Sequence, residues 1–334
     1  MRLAGRLILC AAVLLGSAGA RAETSEVRLV RQFGLGYLPV HVAVNEKLIE
    51  KRLAVAGLPD TKVTLLQATS GAAANDYVLS GNADFAMGGM TVMMTMWDKT
   101  KGSINVRAMM ALCDSPMYLT TIDPKIKSVA DYGPDDRIAV TAVKITQQAL
   151  TLQMVAARDF GWDNRFKLDP LAVSLSHPDS VAALLSGKHE IKSYMATVPF
   201  YFQVAADPRV RTILTSYDVL GGPHSSFAIF NTEAWKTKNP KTYEAVAAGF
   251  DDAMALIARD KRAAATAYLA QESSKLSADE VYKMLLREGD MHYSATPTRT
   301  QEVAEFMHKV GTLKNRPASW KDMFWENVHD RPGS

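Results

Sequence analysis

Small and hydroxyl-bearing residues stand at four places where an apolar, strand-like run gives way to a helical pattern. Each place would offer backbone N–H groups, short side chains and the positive end of a helix dipole, which together suit a small anion or a carboxylate. In an open parallel sheet all four would lie at the carboxyl ends of strands, where ligands collect. Taken singly, each is more often an ordinary N-cap. The residues are Thr69, Ser70 and Gly71; Gly89 and Met90; Thr141, Thr146 and Gln147; and Ala196 and Thr197.

Four further side chains could serve such a cleft, and each has a plainer alternative. Lys144, in the third of these loops, could pair with an anionic ligand or be a solvated lysine. His177 could line the cleft or only begin a helix. Tyr37 and Phe200 could stack on a ring, although aromatic residues that follow strands usually pack in the core.

A glycine-rich loop follows the first predicted strand. Gly34 and Gly36 match the first two glycines of a dinucleotide-binding loop, but Pro39 occupies the third position. A glycine there allows close packing of helix on strand, and proline does not replace it, so we predict no NAD site. The loop is either a flexible connection that stops at the start of a helix or one that touches a ligand.

The sequence lacks the signatures of several enzyme and metal sites. It contains no H-E-x-x-H, no G-x-S-x-G and no phosphate-binding G-x-x-x-x-G-K-[ST] motif, and its seven histidines are scattered. Cys113 is the only cysteine after residue 22, so the chain beyond that point cannot form an internal disulfide. We predict no catalytic residues, no metal and no cofactor.

The first 22 residues are typical of a secretory signal peptide. Arg2 and Arg6 are followed by the apolar run 7–16 and by Ala20-Arg21-Ala22, an A-x-A cleavage site. We therefore predict cleavage after Ala22 and a mature, periplasmic chain that begins at Glu23.

The remaining sequence predicts a soluble protein of about two domains. The chain has 334 residues, of which 48% are hydrophobic, and no segment after the signal reaches the 20 or so apolar residues that a membrane span needs. Three of the 38 basic residues lie in the signal, which leaves 35 basic against 35 acidic residues. This balance of charges does not indicate binding to nucleic acid or to an acidic membrane. A lipid anchor at Cys10 is disfavoured because the bulky Leu9 precedes it.

Strand and helix patterns alternate twice along the chain and then become helical only. Such alternation predicts two α/β units with parallel sheets, and capping signals at Pro240, Ser277/Glu280 and Thr298/Gln301 predict a helical C-terminal cover. The predicted strands are 27–33, 63–67, 85–87, 106–112, 118–122, 138–140, 171–173, 191–194, 211–214 and 227–231, and the predicted helices are 40–53, 72–80, 91–99, 147–160, 180–186 and 200–206.

An internal similarity supports the two-unit interpretation. Residues 78–85 resemble residues 184–191, and each segment has a glycine, Gly81 or Gly187, directly after a predicted helix. A glycine at that position tolerates the left-handed conformation in which helices commonly end. By itself an eight-residue match is weak, but its equivalent place in both units adds weight.

At these residues the chain resembles the substrate-binding proteins of ABC importers of the nitrate, sulfonate and taurine type, which share a fold with thiamine-pyrimidine biosynthesis proteins. The matching stretches cover nearly all of the chain after the signal. They are 33–39, 79–86, 138–140 with 146–154, and 184–187.

The resemblance implies a type II periplasmic binding fold, in which two α/β lobes joined by two crossing strands close on a ligand. The crossings would lie near 115–119 and 221–227, making lobe one 27–117 plus 224–334 and lobe two 118–223. Family ligand contacts would map onto Gly36, Tyr37, Thr69, Ser70, Gly71, Gly89, Met90, Asp114 or Ser115, Thr141, Thr146, Gln147, Ala196 and Thr197. The bulky, basic loop around Lys144 departs from a simple oxyanion site, so a carboxylate or a larger organic ligand competes with nitrate or a sulfonate.

The sequence thus predicts a monomeric periplasmic receptor, not an enzyme, that passes a small anionic or polar organic solute to an ABC permease and its ATPase. The solute classes left open are sulfonate, nitrate, carboxylate and thiamine precursor. One alternative is a thiamine-pyrimidine-synthesis-like enzyme, which the single cysteine after residue 22 disfavours. Another is a solute sensor that acts on a membrane kinase.

Overall fold

A computed structural model describes residues 23–334 except residues 189, 288 and 290. The predicted signal peptide, its cleavage site after Ala22 and the disfavoured lipid site at Cys10 lie outside the described residues. The strands of the described chain are β1 Glu26–Arg31, β2 Lys62–Gln67, β3 Phe85–Gly89, β4 Val106–Asp114, β5 Tyr118–Thr121, β6 Arg137–Val140, β7 Ala172–Ser174, β8 Ile191–Ala196, β9 Arg211–Thr215 and β10 Ser225–Thr232.

The α-helices alternate with these strands and then follow one another without strands between them. They are α1 Leu38–Asn45, α2 Leu48–Val55, α3 Gly71–Leu79, α4 Met90–Thr100, α5 Gln147–Phe160, α6 His177–Ser186, α7 Phe200–Ala205, α8 Ser216–Leu220, α9 Glu233–Lys238, α10 Pro240–Arg259, α11 Lys261–Gln271, α12 Ala278–Leu285 and α13 Thr300–Lys309.

The strands form two five-stranded sheets that share one topology. The first sheet has the order β2-β1-β3-β10-β4, and the second has the order β7-β6-β8-β5-β9. In each sheet the fourth strand is the one that arrives from the other sheet: the chain passes from β4 to β5 through residues 115–117 and from α8 to β10 through residues 221–224. The predicted α/β fold with two crossing strands is confirmed, while the residue limits of the two lobes stay a prediction.

The prediction of wholly parallel sheets is wrong at two strands. β1 runs parallel to β2 and β3, and β6 runs parallel to β7 and β8. In contrast, β10 is antiparallel to β3 and β4, and β5 is antiparallel to β8 and β9. A parallel neighbour needs a crossover connection of a dozen or more residues, whereas a strand that enters directly from the other sheet comes from the opposite end and pairs antiparallel.

Local signals predicted most helix positions and failed at three places. The single helix predicted over 40–53 is two helices, α1 and α2, because Lys47 adopts a left-handed conformation (φ +52°) between them. The capping box predicted at Thr298/Gln301 is wrong, since α13 begins at Thr300 and its first amide donates to the carbonyl of Ser334, at 2.6 Å. The five-residue helix α8 was not predicted.

Other local predictions are confirmed. Ser277 and Glu280 form the expected capping box at the start of α12. Gly81 and Gly187 both follow helices with φ near +70°, at +71° and +65°. In both similar segments, 78–85 and 184–191, the glycine therefore ends a helix before a short strand.

The C-terminal helices form a cover on the helices of the first α/β unit. α10 packs against α1 and α2, and α11 packs against α1 and α12. The segment beyond α13 returns to β4, where the Trp325 amide donates to the Ala108 carbonyl at 2.8 Å. Among the described residues, no helix combines the length and apolar character that crossing a membrane requires.

The buried carboxylate of Asp98, near the end of α4, fastens this returning segment. It accepts hydrogen bonds from the Lys314 amide (3.1 Å), the Asn315 amide (2.7 Å) and the Asn315 side chain (2.9 Å). Asp98 therefore links the C-terminal cover to the helix whose other end reaches the gap between the sheets.

We predict that Asp98→Ala lowers the free energy of unfolding by about 2–3 kcal/mol, because it removes a buried charged acceptor from three part-buried N–H donors. Urea denaturation measures this change. Asp60→Ala, which removes an exposed carboxylate, serves as the matched control. A stability of the Asp98 variant equal to that of the control would contradict the prediction.

Candidate ligand-binding cleft

A small cavity of about 50 Å³ lies between the two sheets. Both sheets and both crossing regions contribute to its walls, and none of its described lining residues is an Asp, Glu, Lys or Arg. The lining residues are Gln32, Phe33, Tyr37, Gly71, Gly89, Val92, Met117, Thr141, Thr146, Gln147, Gln148, His177, Thr197 and Phe227.

Half of the predicted contact residues border this cavity. They are Tyr37, Gly71, Gly89, Thr141, Thr146, Gln147, His177 and Thr197. The other eight do not line it and are Gly36, Thr69, Ser70, Met90, Asp114, Ser115, Lys144 and Ala196. Ligand contact by any of these sixteen residues stays a prediction.

Six lining residues are absent from the predicted contacts, and the reasons differ. Phe33 opens one of the quoted family stretches, and Met117 and Phe227 lie within the predicted crossings, so a local signal existed for these three. Gln148 also lies in a quoted family stretch, 146–154. Gln32 and Val92 carry no such signal, because only the packing of the helices on the sheets turns them toward the cavity.

The loop between β1 and α1 is built around a close contact with Phe227. A β-carbon on Gly36 would lie 2.3 Å from the Phe227 ring, so only glycine fits there. Tyr37 packs edge-on against the same ring, with centroids 5.0 Å apart, and its hydroxyl accepts a hydrogen bond from Gln32 at 3.1 Å. Gly36 thus acts through packing, which brings Tyr37 to the cavity wall.

A buried ion pair holds this loop from behind. Arg31, at the end of β1, contacts the Glu272 carboxylate at 2.6 Å, and both side chains are at most 5% exposed. The other carboxylate oxygen accepts from the Gly34 amide at 3.3 Å. Burial raises the pKa of Glu272 to about 7 even with Arg31 beside it. His41, 3.7 Å from Glu272, has a pKa lowered by burial and is neutral.

The hydroxyls predicted as anion contacts cap their own helices. Ser70 accepts from the Ala73 amide at 3.2 Å, and Thr146 accepts from the Ala149 amide at 3.3 Å. The Thr146 hydroxyl proton goes to the Ala142 carbonyl, at 2.7 Å. The plainer interpretation of these two residues, as N-caps, therefore describes what their side chains do in this structure.

The neutral side chain of Gln148 ties the loop after β6 to β8. Its carbonyl oxygen accepts from the Thr141 amide (2.8 Å) and hydroxyl (2.6 Å), while its amide donates to the Met195 carbonyl at 2.5 Å. Lys144, further along this loop, is exposed and adopts a left-handed conformation (φ +71°).

His177 faces the cavity as a neutral ring. Its two ring nitrogens bond to the Tyr194 hydroxyl and, at 3.1 Å, to the Thr197 hydroxyl, and the ring stacks on Phe200 with centroids 4.8 Å apart. Burial lowers the pKa of His177 to about 3. The imidazole therefore brings no positive charge to the cleft near neutral pH.

Gln147, the first residue of α5, reaches from the second unit to the second crossing segment. Its amide nitrogen lies 2.8 Å from Nδ1 of His224, whose Nε2 lies 2.8 Å from the Ser216 hydroxyl. Ser216 in turn accepts from the Met117 amide in the first crossing segment, at 2.9 Å. Burial lowers the pKa of His224 to about 4, so this ring is neutral as well.

The predicted contact Asp114 belongs to the crossings rather than to the cavity. Its carboxylate accepts from the Ser225 hydroxyl at 2.8 Å and lies 3.6 Å from His292. Burial raises its pKa. Ser115, the adjacent prediction, accepts through its carbonyl from the Ser226 hydroxyl at 2.6 Å.

Direct contacts also join the two units on either side of the cavity. The Thr91 hydroxyl donates to the Ile145 carbonyl at 2.9 Å, and the Leu35 amide donates to the Val198 carbonyl at 3.2 Å. Trp162 packs edge-on against Phe306, with centroids 5.9 Å apart. These contacts describe a closed arrangement of the two sheets.

The described residues offer no obvious metal or redox site. Within the chain that the structure describes, no group of three or more His, Cys, Asp or Glu side chains is placed to hold a metal ion. Cys113 is a buried free thiol whose pKa is raised well above its ordinary value by burial.

One protein family matches most of the chain. The sequence model of the NMT1-like family matches residues 20–271, about three quarters of the chain. A search of proteins with curated functions gives no match.

Solved structures of ligand-binding proteins superpose on most of the chain. One is the alkanesulfonate-binding protein of Xanthomonas axonopodis pv. citri bound to MOPS, with 18% identity, a TM-score of 0.69, and coverage of 88% of this chain and 96% of that one. Another is the periplasmic nitrate-binding protein of Synechocystis PCC 6803, with 17% identity, a TM-score of 0.68, and coverage of 90% and 84%. A third is the ligand-binding component of an ABC-type import system from Staphylococcus aureus, with 14% identity, a TM-score of 0.65, and coverage of 92% and 99%. At these identities the likeness establishes the periplasmic binding protein fold.

We predict that Thr146→Ala lowers the free energy of unfolding by about 1 kcal/mol, because α5 loses its N-cap. Chemical denaturation measures the change, and Thr146→Ser, which keeps the hydroxyl, should retain most of the stability. Equal stability of the alanine and wild-type proteins would show that the cap contributes nothing.

We predict that Glu272 makes the protein less stable as the pH rises from about 4.5 to about 7. The folded carboxyl titrates near pH 7 and the unfolded one near 4.5, so within this window the folded state holds the extra proton. The contribution of Glu272 to the free energy of unfolding is fully present below about pH 4.5 and is lost above about pH 7.

The measurement is the difference in unfolding free energy between wild type and Glu272→Gln across this range, which cancels the titration of all other groups. We expect that difference to change by an amount on the order of 3 kcal/mol. A difference that is flat with pH would mean that Arg31 keeps Glu272 ionised throughout.

Proposed function

Since the chain belongs to the NMT1-like family, we propose that it is the solute-binding receptor of an ABC importer. The receptor captures a small anionic or polar organic solute in the periplasm and delivers it to a permease and its ATPase. The solute classes are those open from the sequence: sulfonate, nitrate, carboxylate or thiamine precursor. The chain acts as a monomer without a cofactor and makes or breaks no bond.

The cavity between the two sheets is the observation that carries this proposal. Its walls come from both units, for example Tyr37 and Gly89 on one side and Gln147 and Thr197 on the other. A solute held there contacts both units at once, so it stabilises the closed arrangement by its differential affinity for the closed and open forms. A permease can then distinguish the loaded receptor by its shape.

Two further functions can be built on the same fold, and the chain argues against the first of them. A thiamine-pyrimidine-synthesis-like enzyme needs reactive side chains in its cleft, whereas His177 in this cavity is half-buried, neutral and bonded at both ring nitrogens. A receptor that signals to a membrane kinase would use the same cleft, and only its partner would differ. Co-purification with a permease complex or with a kinase separates these two roles.

The test is thermal unfolding of the chain from Glu23, stripped of bound solute, against nitrate, sulfonates, aliphatic and aromatic carboxylates, and thiamine pyrimidines. A ligand at about 100 times its dissociation constant adds about 2.7 kcal/mol, which raises the melting temperature by several degrees. We expect such a shift with one class of solute.

A cavity-filling variant shows whether that shift arises in the cleft. A β-carbon on Gly89 would approach no atom closer than 3.9 Å, so Gly89→Leu can fold while its side chain occupies the cavity. We expect Gly89→Leu to abolish the ligand-induced shift, and Ala205→Leu, on the exposed end of α7, to keep it. A shift retained in Gly89→Leu would place the ligand elsewhere. No shift with any of these solutes, nor with an uncharged polar solute, would argue against the receptor function.

A further inference from the structure

Gln147 lines the cavity, and only one end of its side-chain amide is hydrogen-bonded within the described part of the protein. Its nitrogen bonds to His224, while its carbonyl oxygen is buried and has no hydrogen-bond partner among the described residues. The whole residue is only 3% exposed. A buried carbonyl without a partner is costly, so a ligand that donates a hydrogen bond to this atom recovers that cost.

Neighbouring polar groups on the same wall are already engaged within the protein. Gln148 bonds to Thr141 and Met195, Thr146 caps α5, and Thr197 bonds to His177. Gln147 therefore stands out as a lining side chain with an unused polar atom. Gln147 is the first residue of α5, and the starts of α3 and α4 border the same cavity.

The cavity supplies no full positive charge from the lining side chains. His177 is neutral, and Lys144 is exposed and outside the lining residues. A carboxylate or sulfonate would lose its hydration there without a charged partner, which is expensive. An uncharged polar solute avoids that cost.

Tyr37 complements Gln147 across the cavity. Its hydroxyl accepts from Gln32, which leaves the hydroxyl proton for a carbonyl group of a ligand. Phe33, Val92 and Phe227 add apolar walls. A hydrogen-bond donor at Tyr37 and an acceptor at Gln147 match a group that carries both C=O and N–H.

We propose that Gln147 determines the specificity of the cleft by accepting a hydrogen bond from the N–H of an uncharged carboxamide-type solute, and that His224 is the positioning residue that orients it. This inference rests on the proposed function and takes the solute to be polar and uncharged, outside the four classes left open by the sequence. Nitrate, sulfonates and ionised carboxylates present only acceptor oxygens, so they face the Gln147 oxygen without a bond.

His224 is suited to this role because it is fully buried and held at both ring nitrogens. Its ring bonds to Gln147 on one side and to Ser216 on the other. The Ser216 hydroxyl in turn accepts a hydrogen bond from the Met117 amide of the first crossing segment. The orientation of the Gln147 amide therefore depends on both crossing segments. Moving either segment would reorient this amide and change the affinity for the ligand.

The first experiment compares matched uncharged and anionic probes by calorimetry on the wild-type protein. The sets are benzamide, benzoate and benzenesulfonate; isobutyramide and isobutyrate; and nitrate. We expect a carboxamide to bind at least about tenfold more tightly than the anions of the same skeleton.

The second experiment uses Gln147→Glu, which replaces the N–H donor of the side chain with a second acceptor oxygen. The new carboxylate keeps an acceptor toward the cavity, so carboxamide affinity should stay within about threefold of wild type, whereas any residual anion binding should fall at least about tenfold. Gln203→Glu, on α7 outside the lining residues, carries the same charge change and should leave both affinities unaltered.

The outcomes separate the inference from the proposed function. Anions that bind as tightly as the amides, or loss of amide binding in Gln147→Glu but not in Gln203→Glu, would overturn the inference and leave the receptor function standing. Absence of binding by every probe here and by every solute in the wider panel would count against both. If Gln147→Glu does not fold, the wild-type comparison decides alone.

Discussion

Hydrogen bonds between the two crossing segments determine where the two sheets stand relative to one another. Ser226 donates to the Ser115 carbonyl, and Ser225 donates to the Asp114 carboxylate, so β10 is held to the end of β4 where the chain leaves the first sheet. Ser216 accepts from Met117 at the start of the second sheet. The cavity lies between the sheets, and its shape therefore depends on these few buried contacts.

The same constraint explains the strand directions. Each crossing delivers a strand directly into the other sheet, which makes β5 and β10 antiparallel in otherwise parallel arrangements. Both sheets consequently present the starts of helices α3, α4 and α5 to the gap between them. Helix N-termini attract polar and negatively polarised groups, so the fold itself produces a polar cleft without any charged side chain in its lining.

The walls of the cleft depend on residues that do not touch it. Glu272, at the end of α11, bonds to the Gly34 amide and to Arg31, and so holds the loop that carries Tyr37. His224 holds the side-chain amide of Gln147 in the same way, through a hydrogen bond. Breaking either contact would leave a buried polar group unpaired, which is why such supporting residues restrain the site as strongly as the lining residues do.

The sequence by itself determined the α/β alternation, the positions of most strands and helices, and the loops that meet at the cleft, because periodicity, caps and turn glycines such as Gly81 and Gly187 act over a few residues. Only the tertiary structure decided which loop residues face the cavity: Ser70 and Lys144 do not line it, whereas Gln32 and Phe227 do. Likewise, the pairs Gly34–Glu272 and Gln147–His224 join residues 238 and 77 positions apart. No local pattern encodes such contacts, since they exist only once packing has brought distant segments together.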